Sequence, residues 1–159
     1  MVLIIVFLVL IIFFVVGFFL TKALFMPEKS IEWTENEGDV VSFKSGRNTL
    51  EGRLVNKEGN KGTIIFSHGM GLSSRYYRPE VLHFANLGYK VFIFEYRGYL
   101  ESTGTFLSFR DVVKDIVAAS SFLGDDNIIL VGHSMGGYGV LSSLDELKNK
   151  VKGVVAYAP

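Results

Sequence analysis

The chain has 159 residues, 49% of them hydrophobic and 14% aromatic, with no cysteine and 16 Lys plus Arg against 16 Asp plus Glu. This length allows one compact domain with an appendage and argues against two full domains. Zero net charge without a basic cluster argues against a nucleic-acid partner, and the lack of cysteine excludes disulfide scaffolds, thiolate metal sites and a Cys nucleophile.

Mean hydropathy is +0.35, and the excess lies at the N-terminus. Val2 to Leu20 reads VLIIVFLVLIIFFVVGFFL, an uncharged run in which only Gly17 falls outside the apolar set. As a helix it would be roughly 28 Å long, close to the ~30 Å of a hydrocarbon core. A cleaved signal peptide needs a basic start and small residues at its end, whereas no Lys or Arg precedes this run and Phe18, Phe19 and Leu20 close it. A buried core helix of this length is rare in so small a domain. The expectation is a transmembrane anchor over 1–21 and a juxtamembrane linker over 22–38 carrying Pro27, Glu28 and Lys29. Lys22 and Lys29 follow the span, which predicts a single-pass membrane protein with its C-terminal domain in the cytoplasm.

From residue 39 to 159 the hydrophobic period alternates between strand and helix. Val40–Phe43 and Leu50–Val55 read as strands joined by the turn Ser45-Gly46-Arg47-Asn48. Thr63–Phe66 is a continuous apolar run, as in a strand covered on both faces. Arg75–Leu87 reads as a helix stopped by Gly88, and Lys90–Phe94 as another buried strand. Phe109–Leu123 places apolar residues at 109, 112, 113, 116 and 117, opens with Ser108 and Asp111 as a capping box, and ends at Gly124. Asn127–Val131 is the next strand. A helix with Val140, Leu141, Leu144 and Leu147 on one face follows, then a strand over Val151–Tyr157. The pattern predicts an α/β fold, a mainly parallel sheet with helices on both faces, preceded by one transmembrane helix.

Directly after the strand Asn127–Val131 stands Gly132-His133-Ser134-Met135-Gly136-Gly137, which satisfies G-x-S-x-G. A serine at the tip of a strand-to-helix turn has strained backbone angles, and only small neighbours let strand and helix approach so closely. The turn lifts the hydroxyl out of the sheet, and the N–H of Met135 becomes available to an oxyanion. With an apolar strand before it and an amphipathic helix after it, the motif is more than an incidental glycine-rich turn.

Here the chain resembles the α/β-hydrolase family, in particular its serine aminopeptidase and monoacylglycerol-lipase-like branch, over residues 40–159. Ser67-His68-Gly69-Met70, Glu95-Tyr96-Arg97-Gly98 and Gly132-His133-Ser134-Met135-Gly136-Gly137 follow successive strands in the family's order. The resemblance implies that Ser134 is the nucleophile and that Met70 supplies the second oxyanion N–H beside Met135. It departs from the family where Glu95 replaces the usual Asp and Leu100 a frequent Gly. A rival motif, Gly69-x-Gly71-x-x-Ser74 with Glu95 beyond, imitates a dinucleotide fingerprint. There Ser74 replaces the third glycine, and the serine turn stays unexplained.

None of the three histidines is placed as a general base. His68 is expected to orient the oxyanion loop, His133 to point away from Ser134's side, and His83 to lie at a helix surface. Arg75-Tyr76-Tyr77-Arg78 reads as a solvated helix start. No cluster has metal-ligand spacing, and neither cofactor nor metal is expected. In the family the acid and the histidine follow the nucleophile. The chain ends at Pro159 without them, and its last strand would present an open apolar edge. The 159 residues alone are therefore expected to be nearly inert, and a longer gene product is expected. The function expected of the complete protein is hydrolysis of a carboxylic ester, thioester or amide through an acyl-enzyme, with a small acyl substrate. The expected anchor favours lipid-derived acyl groups. The alternative is a non-catalytic, membrane-tethered binding or scaffolding module of the same fold.

Overall fold

In the computed structural model of the protein, residues 2–25 and 32–158 are described. The first helix, α1, spans Val2–Phe25. Among the described residues no helix is long and apolar enough to cross a membrane. This corrects the expected transmembrane anchor over 1–21, and with it the single-pass membrane location and the cytoplasmic placement drawn from it. The helix also continues to Phe25, into the segment expected to be linker. The rest of that linker's core, with Pro27, Glu28 and Lys29, lies outside the described residues.

Six strands form one sheet: β1 (Asp39–Ser45), β2 (Asn48–Val55), β3 (Thr63–Ser67), β4 (Lys90–Phe94), β5 (Ile128–His133) and β6 (Val151–Tyr157). Their order is β1-β2-β4-β3-β5-β6. β1 and β2 form the expected hairpin, and β2 pairs antiparallel with β4. Only β4, β3, β5 and β6 run parallel, so the sheet is mixed rather than mainly parallel. The reason is local. A two-residue turn at Gly46-Arg47 can reverse the chain but cannot cross over it, whereas each parallel step needs a helix-sized connection.

The period-2 alternation of the strands sorts side chains onto two faces. Ile65, Phe92, Phe94, Ile128 and Leu130 face one core together with Val112, Ile116, Met135, Val140 and Leu147. These last come from α3 (Phe109–Leu123), α4 (Met135–Ser142) and the short α5 (Leu144–Leu147). Ile64, Phe66, Val91, Ile93 and Val131 face the opposite core with Tyr77, Val81 and Ala85. Those come from a 3-10 turn at Ser74–Tyr77 and the α2 helix Arg78–Asn86. Every residue of β3 is buried, because it lies mid-sheet under both layers.

Two expected helices are divided. The stretch 75–87 is a 3-10 turn followed by α2, with Pro79 early in α2. Ser143 separates α4 from α5, its hydroxyl donating to the Val140 carbonyl at 3.0 Å. α3 has the predicted bounds. Its Asp111 carboxylate accepts the N–H groups of Leu107 and Ser108 at 3.1 Å, and Gly124 ends it at φ 70°. β6 pairs among the described residues with β5 alone, and Val155 on it is 51% exposed.

The segment before β1 is fastened to α2 by charge. Arg78 Nε donates to Glu37 Oε2 at 2.6 Å, and its Nη2 reaches Oε1. That guanidinium, with the Thr34 N–H, holds the Glu37 carboxyl down at about 2 from an ordinary 4.5. A carboxyl depressed in the folded state stabilises above its unfolded value and loses that contribution as pH falls through the folded one. Glu37→Gln is therefore expected to lower stability at pH 7 and to flatten its decline between pH 5 and 2. Urea unfolding across that range measures both effects.

Candidate active site

β4 and β5 lie on opposite sides of β3, so the connections leaving the C-terminal ends of β3 and β5 diverge. Such a reversal opens a crevice at the strand ends, the usual place for a ligand in an open α/β sheet. Ser134 sits there, between the end of β5 and the first residue of α4.

Its backbone is at φ 51°, ψ −118°, a region that residues with a Cβ rarely adopt. The turn is held from both ends. The Ser134 N–H donates to the Tyr157 carbonyl at the end of β6, and the Ser134 carbonyl accepts the Tyr138 N–H, each at 3.0 Å. It can be this tight only because its neighbours lack side chains. A Cβ on Gly132 would meet the Gly136 carbonyl oxygen at 2.3 Å, and one on Gly136 would meet the Ser67 carbonyl oxygen at 2.1 Å. Both obstacles are backbone and cannot swing aside.

Ser134 is half-buried rather than entombed. With Met70, Met135, Phe109 and Tyr138 it lines a recess of about 330 Å³, so the structure brings all three predicted site residues together. Phe109 and Tyr138 meet edge to face at 5.4 Å and supply the aromatic wall. Neither was singled out by the sequence, since each reads as an ordinary residue of an amphipathic helix. Among the described residues, the N–H groups of Met70 and Met135 have no backbone acceptor. For Met135 this follows from its place in the first turn of α4, where no preceding carbonyl is in reach.

The Met70 N–H is aimed by its neighbours. It shares a trans peptide with the Gly69 carbonyl, so the two point in opposite directions. That carbonyl lies 2.9 Å from His68 Nδ1, which must carry a proton to donate to it. His68 is completely buried beside the rings of Tyr96 and Tyr99, at 4.2 and 5.2 Å. Burial pushes its imidazole below the ordinary value, against the pull of Glu95 and the bond to Gly69. Nε2 stands 3.5 Å from Glu95 Oε2, and the other Glu95 oxygen accepts the Ser74 N–H at 2.8 Å. Glu95 thus turns inward to the loop after β3, which removes it as a ribose acceptor and removes the dinucleotide reading with it.

Neither remaining histidine is among the residues that line the recess with Ser134. His83 is exposed on α2, and His133 stacks on Tyr157 at 4.8 Å with Nδ1 2.5 Å from the Tyr77 hydroxyl. Tyr77, expected in a solvated helix start, is 2% exposed and also accepts the Gly69 N–H at 3.0 Å. Sequence reasoning missed it because Arg75 and Arg78 flank it and mark the stretch as solvated, although Tyr77 lies four residues before Val81 and eight before Ala85, on the face that α2 buries.

The family model described as "Serine aminopeptidase, S33" matches residues 58–159. No curated protein matches the chain. Among solved structures, the esterase Pf2001 of Pyrococcus furiosus is similar, with 25% identity, a TM-score of 0.74, and coverage of 87% of this chain and 58% of that one. Mouse alpha/beta hydrolase domain-containing protein 10 is 22% identical with a TM-score of 0.66, over 73% of this chain and 48% of that one. The epoxide hydrolase VrEH1 of Vigna radiata is 20% identical with a TM-score of 0.67, over 76% and 40%. The chain thus spans little more than half the length of the esterase and less than half of the other two.

The glycine contacts predict a sharp contrast. Gly136→Ala is expected to cost about 3 kcal/mol or more by overpacking against backbone. Gly153→Ala, whose Cβ would meet only the Ile129 side chain at 3.8 Å, should change stability by less than about 0.5 kcal/mol. Chemical unfolding of the two variants measures the difference.

Proposed function

The chain belongs to the serine aminopeptidase family of α/β-hydrolases, and from that premise we propose that the protein hydrolyses a carboxylic ester, thioester or amide through an acyl-enzyme on Ser134. The observation that carries the reading is the strained, half-buried Ser134, on a turn that only glycines at 132 and 136 permit, lining one recess with Met70 and Met135, whose N–H groups have no backbone acceptor among the described residues. Backbone strain kept at one residue needs a compensating use, and presenting a hydroxyl to a substrate is such a use.

In this reading Ser134 Oγ gives its proton to a general base and attacks the substrate carbonyl carbon. The carbonyl oxygen takes the negative charge and is stabilised by the N–H groups of Met70 and Met135. Collapse breaks the bond to the leaving group, which departs with the proton and leaves an ester on Ser134. Water repeats the sequence, frees the acid and restores the hydroxyl. Since His68, His83 and His133 are engaged or displaced as described, the base is expected from the part of the family's fold that this chain does not span. The apolar and aromatic wall of Met70, Phe109 and Tyr138 favours an apolar acyl group. The likeness to an esterase makes a carboxylic ester the first substrate to test.

In the natural protein, a fluorophosphonate probe is expected to label Ser134, read by mass spectrometry, and Ser134→Ala to abolish labelling. Modification elsewhere with Ser134 untouched would overturn the assignment. The backbone strain gives an independent check, because glycine tolerates φ 51° whereas alanine does not. Ser134→Gly should unfold at a higher temperature than Ser134→Ala, by the equivalent of about 1 kcal/mol.

A further inference from the structure

Gly69 and His133 come from different strand ends, and each lies just before a residue the proposed chemistry uses: Gly69 before Met70, and His133 before Ser134 and Met135. One buried hydroxyl touches both. Tyr77 Oη accepts the Gly69 N–H at 3.0 Å and lies 2.5 Å from His133 Nδ1. We propose that Tyr77 is a positioning residue that cross-braces the two halves of the oxyanion hole, a role resting on the hydrolase reading above.

The direction of the bonds follows from donors and acceptors. An amide N–H can only donate, so the Tyr77 oxygen accepts from Gly69, and its own proton is free to go to His133 Nδ1. That nitrogen is then an acceptor, and the imidazole carries its proton on Nε2. Burial raises the Tyr77 phenol well above its ordinary value, which keeps the proton on the hydroxyl.

The brace has little slack. The Tyr77 ring is fixed against Phe66 with centroids 5.1 Å apart, and the His133 ring is stacked on Tyr157. A Cβ on Gly69 would come within 3.0 Å of His133 Nδ1 and 3.1 Å of the Tyr77 oxygen, so glycine at 69 lets the three groups converge. Both peptides flanking Gly69 are thereby pinned, one at its N–H by Tyr77 and the other at its carbonyl by His68. Without the hydroxyl, the β3 loop can shift relative to the β5 turn. The two N–H groups then no longer converge on one oxygen.

Tyr77→Phe removes only the hydroxyl. Long-range ¹H–¹⁵N spectra of the unmodified protein should show His133 protonated on Nε2 and bare on Nδ1. The variant should show mixed tautomers and an exchange rate of the Gly69 amide raised about tenfold or more. Fluorophosphonate labelling of Ser134 should slow by about 10- to 100-fold, below the loss seen for removal of a whole oxyanion donor. On a p-nitrophenyl ester the loss should fall on kcat with KM little changed. The brace is overturned if His133 of the unmodified protein carries its proton on Nδ1, a measurement that needs no variant. It is equally overturned if Tyr77→Phe labels Ser134 as fast as the unmodified protein. An unmodified protein that is never labelled at Ser134 defeats the hydrolase reading instead, while the tautomer and the Gly69 exchange still decide the brace.

Discussion

A single close approach organises this molecule: the first turn of α4 rests on the backbone at the ends of β3 and β5 with only hydrogens between. The Ser67 carbonyl stands where a Gly136 side chain would begin, and the Gly136 carbonyl stands where a Gly132 side chain would begin. Because these are backbone contacts, they fix the distance between helix and sheet more rigidly than packed side chains could. The angles at Ser134 follow from that distance. The chain must leave the strand and enter the helix within one residue, and φ 51° is the result. The recess, the half-buried serine at its edge and the Met135 N–H, without a backbone acceptor among the described residues, all derive from the same geometry.

Around this contact, Glu95-Tyr96-Arg97-Gly98 works as a distribution point at the end of β4. Glu95 turns to the loop after β3 and accepts the Ser74 N–H, while the Tyr96 hydroxyl donates to the His68 carbonyl at 3.1 Å. Arg97 turns the other way, to Asp115 at 2.6 Å and Asp111 at 3.1 Å, and its Nη2 also donates to Ser45 Oγ. The Asp115 bond is the main cause holding the guanidinium protonated above its ordinary value. A buried pair like this owes less to Coulomb attraction than to having its hydrogen bonds met. Here Ser45 Oγ donates to Asp115 Oδ1 and the Arg97 N–H to Oδ2, so the charges tie β1, β4 and α3 together.

Much of this was legible in the sequence, for identifiable reasons. β3 and β4 announce themselves because a strand covered on both faces must be continuously apolar. α3 does so because a helix over one core shows a clean 3.6-residue stripe, closed by Asp111 and Gly124. The serine turn was readable because its glycines answer a steric demand that no other residue meets. What escaped depends on packing or on distance along the chain. Tyr77 stands between Tyr76 and Arg78 in a charged, polar-looking stretch, and its burial depends on where that stretch packs against β3 and β5. Phe109 and Tyr138 become neighbours only when α3 and α4 pack, with Gly139 against Val112 and Ile116. The apolar run at the N-terminus forms a helix as its composition suggested. Among the described residues, however, no helix is long and apolar enough to cross a membrane, and the membrane assignment fails there.

The sheet order has a consequence for how the molecule assembles. β1 and β2 meet across a two-residue turn, whereas β3 must pair with β5 about sixty-five residues away. Closing so long a loop is entropically uphill until burial repays it, and the rewards arrive only once α2, β4 and α3 are in place. The bend carrying Ser134 therefore belongs to the last part of the chain to consolidate during refolding. Pulse-labelled amide exchange would record this order, with the hairpin amides protected before those of residues 128–132.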